Sequence, residues 1–313
     1  METATELAVV KQRRLDTIAA EPFVDVSKSQ GFFRDTVNSV RDLVAHRELL
    51  GRLVRREIKA RYKDSKLGIV WSLFRPLISL LIYYFAIGKV MGAARSVPDF
   101  AIFVFVGLTI WLLYSEILSG AVRSIVENSG LVKKVYLPRE IFPLSAIGSA
   151  LVNFGIQVVV LLIGIAVLST YRWSPELLLA PLAVVVLLVF ATAVALIISA
   201  WNVYLRDIQH FVEIYLLIFF WVSPIVYPFT YVHRVLQGNW LEQIYLANPV
   251  SLAIIATQKA LWSAGTTSSG SLMQVWPPDL ELRLVIALGA SVVLLFVAQR
   301  VFARLQGNFA QEL

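Results

Sequence analysis

The pattern of apolar and polar positions along this 313-residue chain changes character near residue 68. Before it, between Arg47 and Lys63, Leu50, Leu53, Val54 and Ile58 fall on one face at about 100° per residue. Arg52, Arg55, Lys59 and Lys63 fall on the other. A helix so divided lies along a membrane surface, with its apolar stripe at the acyl boundary and its basic side among anionic headgroups. Glu57 and Arg61 interrupt the apolar face, four apart in the order that favours an intrahelical pair. Beyond residue 68 the wet side disappears. Six segments, at 69–91, 100–122, 141–168, 178–200, 209–230 and 284–303, hold enough apolar residues to cross about 30 Å of hydrocarbon. The pattern predicts an all-α integral membrane protein. A six-span transmembrane domain (69–305) follows an amphipathic interface helix (46–68) and a polar N-terminal tail (1–45), in which Gly31–Val44 carries a second short helical pattern.

Three stretches between the spans carry structure of their own. In the 123–140 loop a short helix is predicted from about Ser124 to Val135, with Pro138 and Pro143 turning the chain back into the bilayer. The fifth segment meets Pro224 and Pro228 early. A helix over Ile208–Val222 covers only about 22 Å, so it either kinks at Pro224 or ends inside protein, where shielded backbone is tolerated. That makes the segment the leading candidate for a channel wall, with Glu213 facing a pathway or lying at headgroup level. The long connection 231–283 includes Asn248–Trp262, where Asn248 caps and Pro249 opens a helix too short to span. It reads as a re-entrant or interfacial helix, followed by an exposed flexible loop at Gly265–Gly270.

Composition narrows the function. Hydrophobic residues make up 58% of the chain, charged residues only 16%, and the mean hydropathy is +0.72. The net charge of +7 does not point to nucleic acid, because half of the Lys and Arg precede Trp71, interleaved with acids and followed by spans. Arg123, Lys133, Lys134 and Arg139 share one loop, whereas the neighbouring loops hold only Arg95 and Arg172. The positive-inside rule then places the N-terminus, the 123–140 loop, the 201–208 loop and the C-terminus in the cytoplasm. The first forty residues lack the apolar core of a cleavable signal peptide. There are no cysteines, so thiol chemistry is excluded. His46, His210 and His233 show no metal-ligand spacing. No G-x-x-x-x-G-K loop is present, so the chain does not bind ATP in that way.

The run from Arg56 to Pro76, REIKARYKDSKLGIVWSLFRP, resembles the N-terminal signature of the membrane subunit of polysaccharide-exporting ABC transporters, which move O-antigen, galactan, teichoic acid or capsule. The resemblance implies a bacterial inner or plasma membrane protein that is no enzyme. A second copy of itself and two cytoplasmic ABC ATPase subunits, which hold the ATP and Mg, would work with it, and its cargo would be a lipid-linked polysaccharide. The 123–140 loop resembles that family's ATPase-facing helix, which makes Glu127, Asn128, Leu131, Lys133, Lys134, Tyr136, Leu137 and Pro138 contact candidates. Arg55, Glu57, Arg61 and Tyr62 of the interface helix join them, as do Arg206 and Asp207 in the turn after the fourth span.

For a glycan cargo, aromatic rings with polar tips make a weakly adhesive wall. Tyr83, Tyr84, Trp111, Tyr114, Tyr215, Trp221 and Tyr227 are the candidates, although interfacial belts use the same residues. Arg75 in the first span snorkels to headgroups or meets an anionic lipid. Two other classes compete: an ABC exporter of small hydrophobic compounds, and an integral membrane enzyme acting on glycolipids. The enzyme requires clustered carboxylates, whereas Asp99, Glu176, Glu242, Asp279 and Glu281 are dispersed.

Overall fold

A computed structural model of the chain describes residues 41, 43–61, 70–134, 137–169, 174–267 and 274–313. The predicted tail up to residue 40, most of the Gly31–Val44 pattern, Tyr62, Tyr136, the side chain of Arg75 and most of the Gly265–Gly270 loop lie outside the described residues. All regular structure among the described residues is helical. Helix α1 (Arg47–Arg61) is followed by α2 (Val70–Tyr83), which continues into a π-helical stretch, Tyr84–Val90, and by the single turn α3 (Ala93–Ser96). Next come α4 (Phe100–Glu127), α5 (Ser129–Lys134), α6 (Ile141–Leu168) and α7 (Leu179–Tyr204), the last entered through a 3₁₀ turn at Pro175–Leu178. Then follow α8 (Ile208–Val222), α9 (Phe229–Leu236), α10 (Trp240–Ala247), α11 (Pro249–Leu261) and α12 (Ser263–Thr267). The chain closes with α13 (Leu280–Leu305) and α14 (Phe309–Glu312).

Among the described residues, four helices are long and apolar enough to cross a membrane: α4, α6, α7 with its 3₁₀ lead-in, and α13. The protein is therefore a multi-pass membrane protein. The predicted bounds 141–168 coincide with α6, and those of α7 and α13 shift by at most four residues at any end. The axis of the bundle is α4. Its most apolar window is 78% buried, against 22% for α6 and α13, and it packs on α2, α6, α7, α8 and α11. Near-continuous hydrophobicity over 28 residues suits a helix enclosed on all sides.

Spans α4 and α13 begin alike. Each follows a Pro-Asp pair whose aspartate is left-handed, Asp99 at φ 46° and Asp279 at φ 53°. That region is costly for most L-residues and is tolerated by Asp. Asp99 accepts a hydrogen bond from Ser169 Oγ at 3.0 Å, and the carbonyl of Pro98 accepts from Trp262 Nε1 at 2.8 Å. These bonds tie the start of α4 to the end of α6 and to α11.

The fifth predicted segment ends rather than kinks: α8 stops at Val222 and the chain turns irregularly through residues 223–228. Backbone polar groups freed at membrane depth must find partners in the protein. Tyr227 Oη lies 2.7 Å from the Trp221 carbonyl and 2.8 Å from the Val222 carbonyl, so its one proton can go to either. Gln258 Nε2 donates to the Pro224 carbonyl at 2.9 Å. The turn lies hard against α4 at Gly107, where an added Cβ would sit 3.1 Å from Ile225 Cα. Only the missing side chain admits that approach.

Gln258 belongs to α11, whose cap is as predicted: Asn248 Oδ1 accepts from Val250 N at 3.0 Å. Ten of its thirteen residues are buried, so it sits inside the protein. It packs against α4, α7 and α13. The predicted helix at Ser124–Val135 is corrected. Its first part is the last turn of α4, which runs to Glu127, and a break at Asn128 separates the short α5. Gln258→Leu should leave the Pro224 carbonyl unpaired and cost about 1–3 kcal/mol. Gly107→Val should cost a comparable amount through overpacking. Unfolding midpoints of the purified variants check both.

Candidate functional site

The end of the bundle that carries Arg123, Lys133, Lys134 and Arg139 is where α1 docks. Leu53 is buried at 5% exposure, and Val54 rests on Gly148 of α6. A Cβ at position 148 would lie 2.6 Å from Val54 Cγ2, so the glycine is what lets the two helices meet. Full burial of Leu53 contributes about 2 kcal/mol, more than an exposed ion pair supplies. Apolar seating thus holds α1, and its polar residues set its rotation.

Glu57 and Arg61 do not form the predicted intrahelical pair. Each reaches across to a span instead: Glu57 is half-buried, and Arg61, although exposed, lies within reach of α4. Glu57 Oε1 accepts from Ser145 Oγ of α6 at 2.5 Å. Arg61 lies 3.7 Å from Glu116 of α4, whose carboxylate also accepts from Asn153 Nδ2 at 2.9 Å. Next to Glu57, Arg56 donates to Asn128 Oδ1, while Asn128 Nδ2 donates to the Ser124 carbonyl at 2.7 Å. Arg56, Glu57, Arg61, Glu116, Ser124 and Asn128 line a polar cleft of about 400 Å³ between α1 and the ends of α4 and α6.

Burial pushes the Glu57 carboxyl above its usual range, against the lowering effects of the Ser145 hydrogen bond and of Arg56 and Arg61. Geometry gives the same direction. Ser145 Oγ is also 2.8 Å from the Phe142 carbonyl, and one hydroxyl proton cannot serve two acceptors. With Glu57 protonated, it donates to Ser145, which is then free to donate to Phe142. With Glu57 ionised, one of the two acceptors goes without.

Glu116 and Asn153 were not legible as partners in the sequence, although an ionisable residue within an apolar span is a signal in itself. Glu116 stands eleven residues before the end of α4, about 16 Å into the bundle. Along α6, Ser145, Ser149, Asn153 and Gln157 recur every fourth residue and are all buried. They form a polar seam that begins at Glu57.

The predicted contact residues occupy the same end. Arg55, Glu127, Lys133, Lys134, Arg206 and Asp207 are exposed, whereas Leu131, Leu137 and Pro138 are half-buried. Glu127 is 4.0 Å from Arg123. Beneath α5 lies a second apolar cluster that includes Leu53, Val132, Phe142, Phe302 and Phe309. Arg139 sits over the Phe309 ring, and Tyr204 Oη donates to the Leu305 carbonyl at 2.6 Å. Lys133 and Lys134 therefore project from a packed base.

The predicted pathway aromatics divide. Trp111 and Tyr114 are buried within this subunit, at 5% and 0% exposure, so neither presents a surface here. They join a ring cluster in which Tyr114 Oη is 2.9 Å from Tyr215 Oη and Phe220 packs on both Tyr83 and Trp111. Tyr227 is occupied as the cap of α8. Tyr83, Tyr84 and Tyr215 are half-buried, and Trp221 is exposed. Glu213 is exposed on α8, 3.7 Å from His210.

Because Glu57 holds its proton to higher pH when docked than when free, its contribution is present below the ordinary carboxylate value and is lost as pH rises through the raised one. Distances between spin labels at Arg52 and Gly155 should broaden over that interval. Glu57→Gln should flatten the dependence and keep α1 docked, whereas Gly148→Leu should displace α1 at every pH.

The ABC-2 type transporter family matches residues 48–262, from α1 through α11. The chain is 30% identical over 278 residues to the O-antigen export system permease protein RfbA of Myxococcus xanthus, covering 88% of this chain and 100% of that protein. A Klebsiella pneumoniae protein of the same name is 28% identical over 222 residues, 70% of this chain and 82% of that one. The Escherichia coli polysialic acid transport protein KpsM is 24% identical over 209 residues, 66% and 78% of the respective chains. The match takes in the docked α1, the cleft behind it and the capped break after α8, and this chain belongs to the ABC-2 type transporter membrane family.

Proposed function

We propose that the chain is the transmembrane subunit of an ATP-driven exporter that moves a lipid-linked polysaccharide, of O-antigen, galactan or teichoic acid type, from the cytoplasmic to the outer face of a bacterial inner membrane. The observation that carries this reading is the convergence of α1, the cleft behind it and the exposed Lys133 and Lys134 at one end of the bundle. A rigid patch of exposed cations beside a docked amphipathic helix suits a soluble partner that delivers force. The relatives' names supply the cargo class.

In this reading two copies of the chain stand over two ATPase subunits, where ATP and Mg act. Six crossings are completed by α2 with its π-helical extension and by α8 with the turn beyond it. Both termini and the basic end face the cytoplasm, as the distribution of Lys and Arg requires. The amphipathic α1 is then the interface helix, lying among membrane lipids with Arg55 outward. Arg55, Glu57, Arg61, Tyr62, Arg206, Asp207 and the 127–138 segment transmit ATPase motion. Glycan passes the exposed or half-buried aromatics Tyr83, Tyr84, Tyr215 and Trp221, with Arg75 at the entry.

Reversing the charge of the patch should uncouple the two subunits. With Lys133→Glu and Lys134→Glu together, the protein should insert normally, but glycan export should fall by about tenfold or more, the loss expected when several charge-assisted contacts of about 0.5–1 kcal/mol each are reversed. Normal export by this variant, or failure of the native chain to co-purify with its co-encoded ATPase, would remove the reading.

A further inference from the structure

Of the residues in α14, only Phe309 is buried, whereas Ala310, Gln311 and Glu312 are exposed. A single turn of helix has no stability of its own, so that one ring holds the segment in place. Its centroid is 5.6 Å from that of Phe302 of α13, with the planes at 89°, and 6.1 Å from that of Tyr204 of α7, at 64°. The Arg139 guanidinium stands 5.8 Å from the ring centre. Among the described residues α5 packs most on α14, and next on α4, which precedes it in the chain. Three parts of the basic end thus meet at Phe309: the last span, the end of α7 just before the Arg206–Asp207 turn, and the segment that carries Lys133 and Lys134.

We propose that Phe309 is a positioning residue that locks α5 and the Arg206–Asp207 turn to the last span, so that the cationic surface and α13 move together. The inference rests on the reading that this end of the bundle meets the ATPase. Phe309 is 0% exposed and touches no soluble partner itself, so it acts only through the elements packed on it. The break at Asn128 separates α5 from α4, and so short a helix takes its orientation from what lies beneath it. Beneath it, Val132 is 6% exposed and shares one apolar cluster with Phe302 and Phe309, while the side chains of Lys133 and Lys134 stay outside. Close-packed rings pass on a displacement rather than absorb it. A shift of α13 therefore reaches α5 through Phe302 and Phe309. It reaches the neighbouring turn through the hydrogen bond from Tyr204 Oη to the Leu305 carbonyl, 2.6 Å long.

The full chain is reconstituted in vesicles, diluted with unlabelled chain, and carries spin labels at Gly130 of α5 and Gly289 of α13, where an added side chain meets nothing within 4 Å. A second pair, Gly155 of α6 and Gly289, serves as the reference within the bundle. The distance distribution of the first pair should be narrow in the native chain, broad in Phe309→Ala and narrow again in Phe309→Met, which refills the space with a flexible apolar side chain. The reference pair should stay narrow in all three. In the complex with the co-encoded ATPase, the ATP consumed per glycan exported should rise about tenfold in Phe309→Ala, within the range that a coupling free energy spans, and return to the native ratio in Phe309→Met. An unbroadened first pair in Phe309→Ala, equal broadening of the reference pair, or an unchanged ratio despite the broadening each overturns the proposal. If the native complex shows no ATP-dependent export, the earlier reading falls and the coupling role with it, and the distances show separately whether Phe309 holds α5.

Discussion

No backbone amide or carbonyl at hydrocarbon depth can rely on water, and the architecture follows from that constraint. Where a span is one continuous helix, its own ladder meets it. Where α8 stops at Val222, the carbonyls are met by side chains brought from elsewhere: Tyr227 from five residues on, Gln258 from the buried α11. Placing Gln258 requires α11 to be inside the bundle, and α11 can be inside only because α4 offers Gly107 to the turn. The broken span, the buried short helix and the central helix form one unit.

At the opposite end the same economy applies to charge. Glu116 lies within a span, but it is paired with Arg61 of α1 and Asn153 of α6. Three elements share a single carboxylate, so the surface helix and the spans are joined through it. This joint, rather than the exposed lysines alone, is what would carry motion from a cytoplasmic partner into the bundle.

Much of this was legible in the sequence and some was not, for physical reasons. Helix α6 needed only a long apolar run, and α11 announced itself through Asn248 and Pro249. The period around Leu53 gave α1. The roles of Trp111 and Tyr114 were not legible, because an aromatic ring facing a neighbouring helix and one facing a pathway have the same sequence. The partners of Glu57 and Arg61 were misread because their four-residue spacing satisfied a local rule. Residues 88 and 55 positions away along the chain, Ser145 and Glu116, outcompeted it. Asn128 ended a helix that hydrophobicity alone continued.

The contact of Val54 on Gly148 has a mechanical corollary. A glycine seat offers no knob for a neighbouring helix to interlock with, so rolling of α1 about its long axis meets little steric resistance there. What opposes the roll is the set of contacts to either side, of which Arg61 and Glu116 are 45% and 27% exposed. Partly solvated charges are screened by dissolved ions. The torsional stiffness of this hinge is therefore tuned by ionic strength, while its translational position, fixed by Leu53, is not.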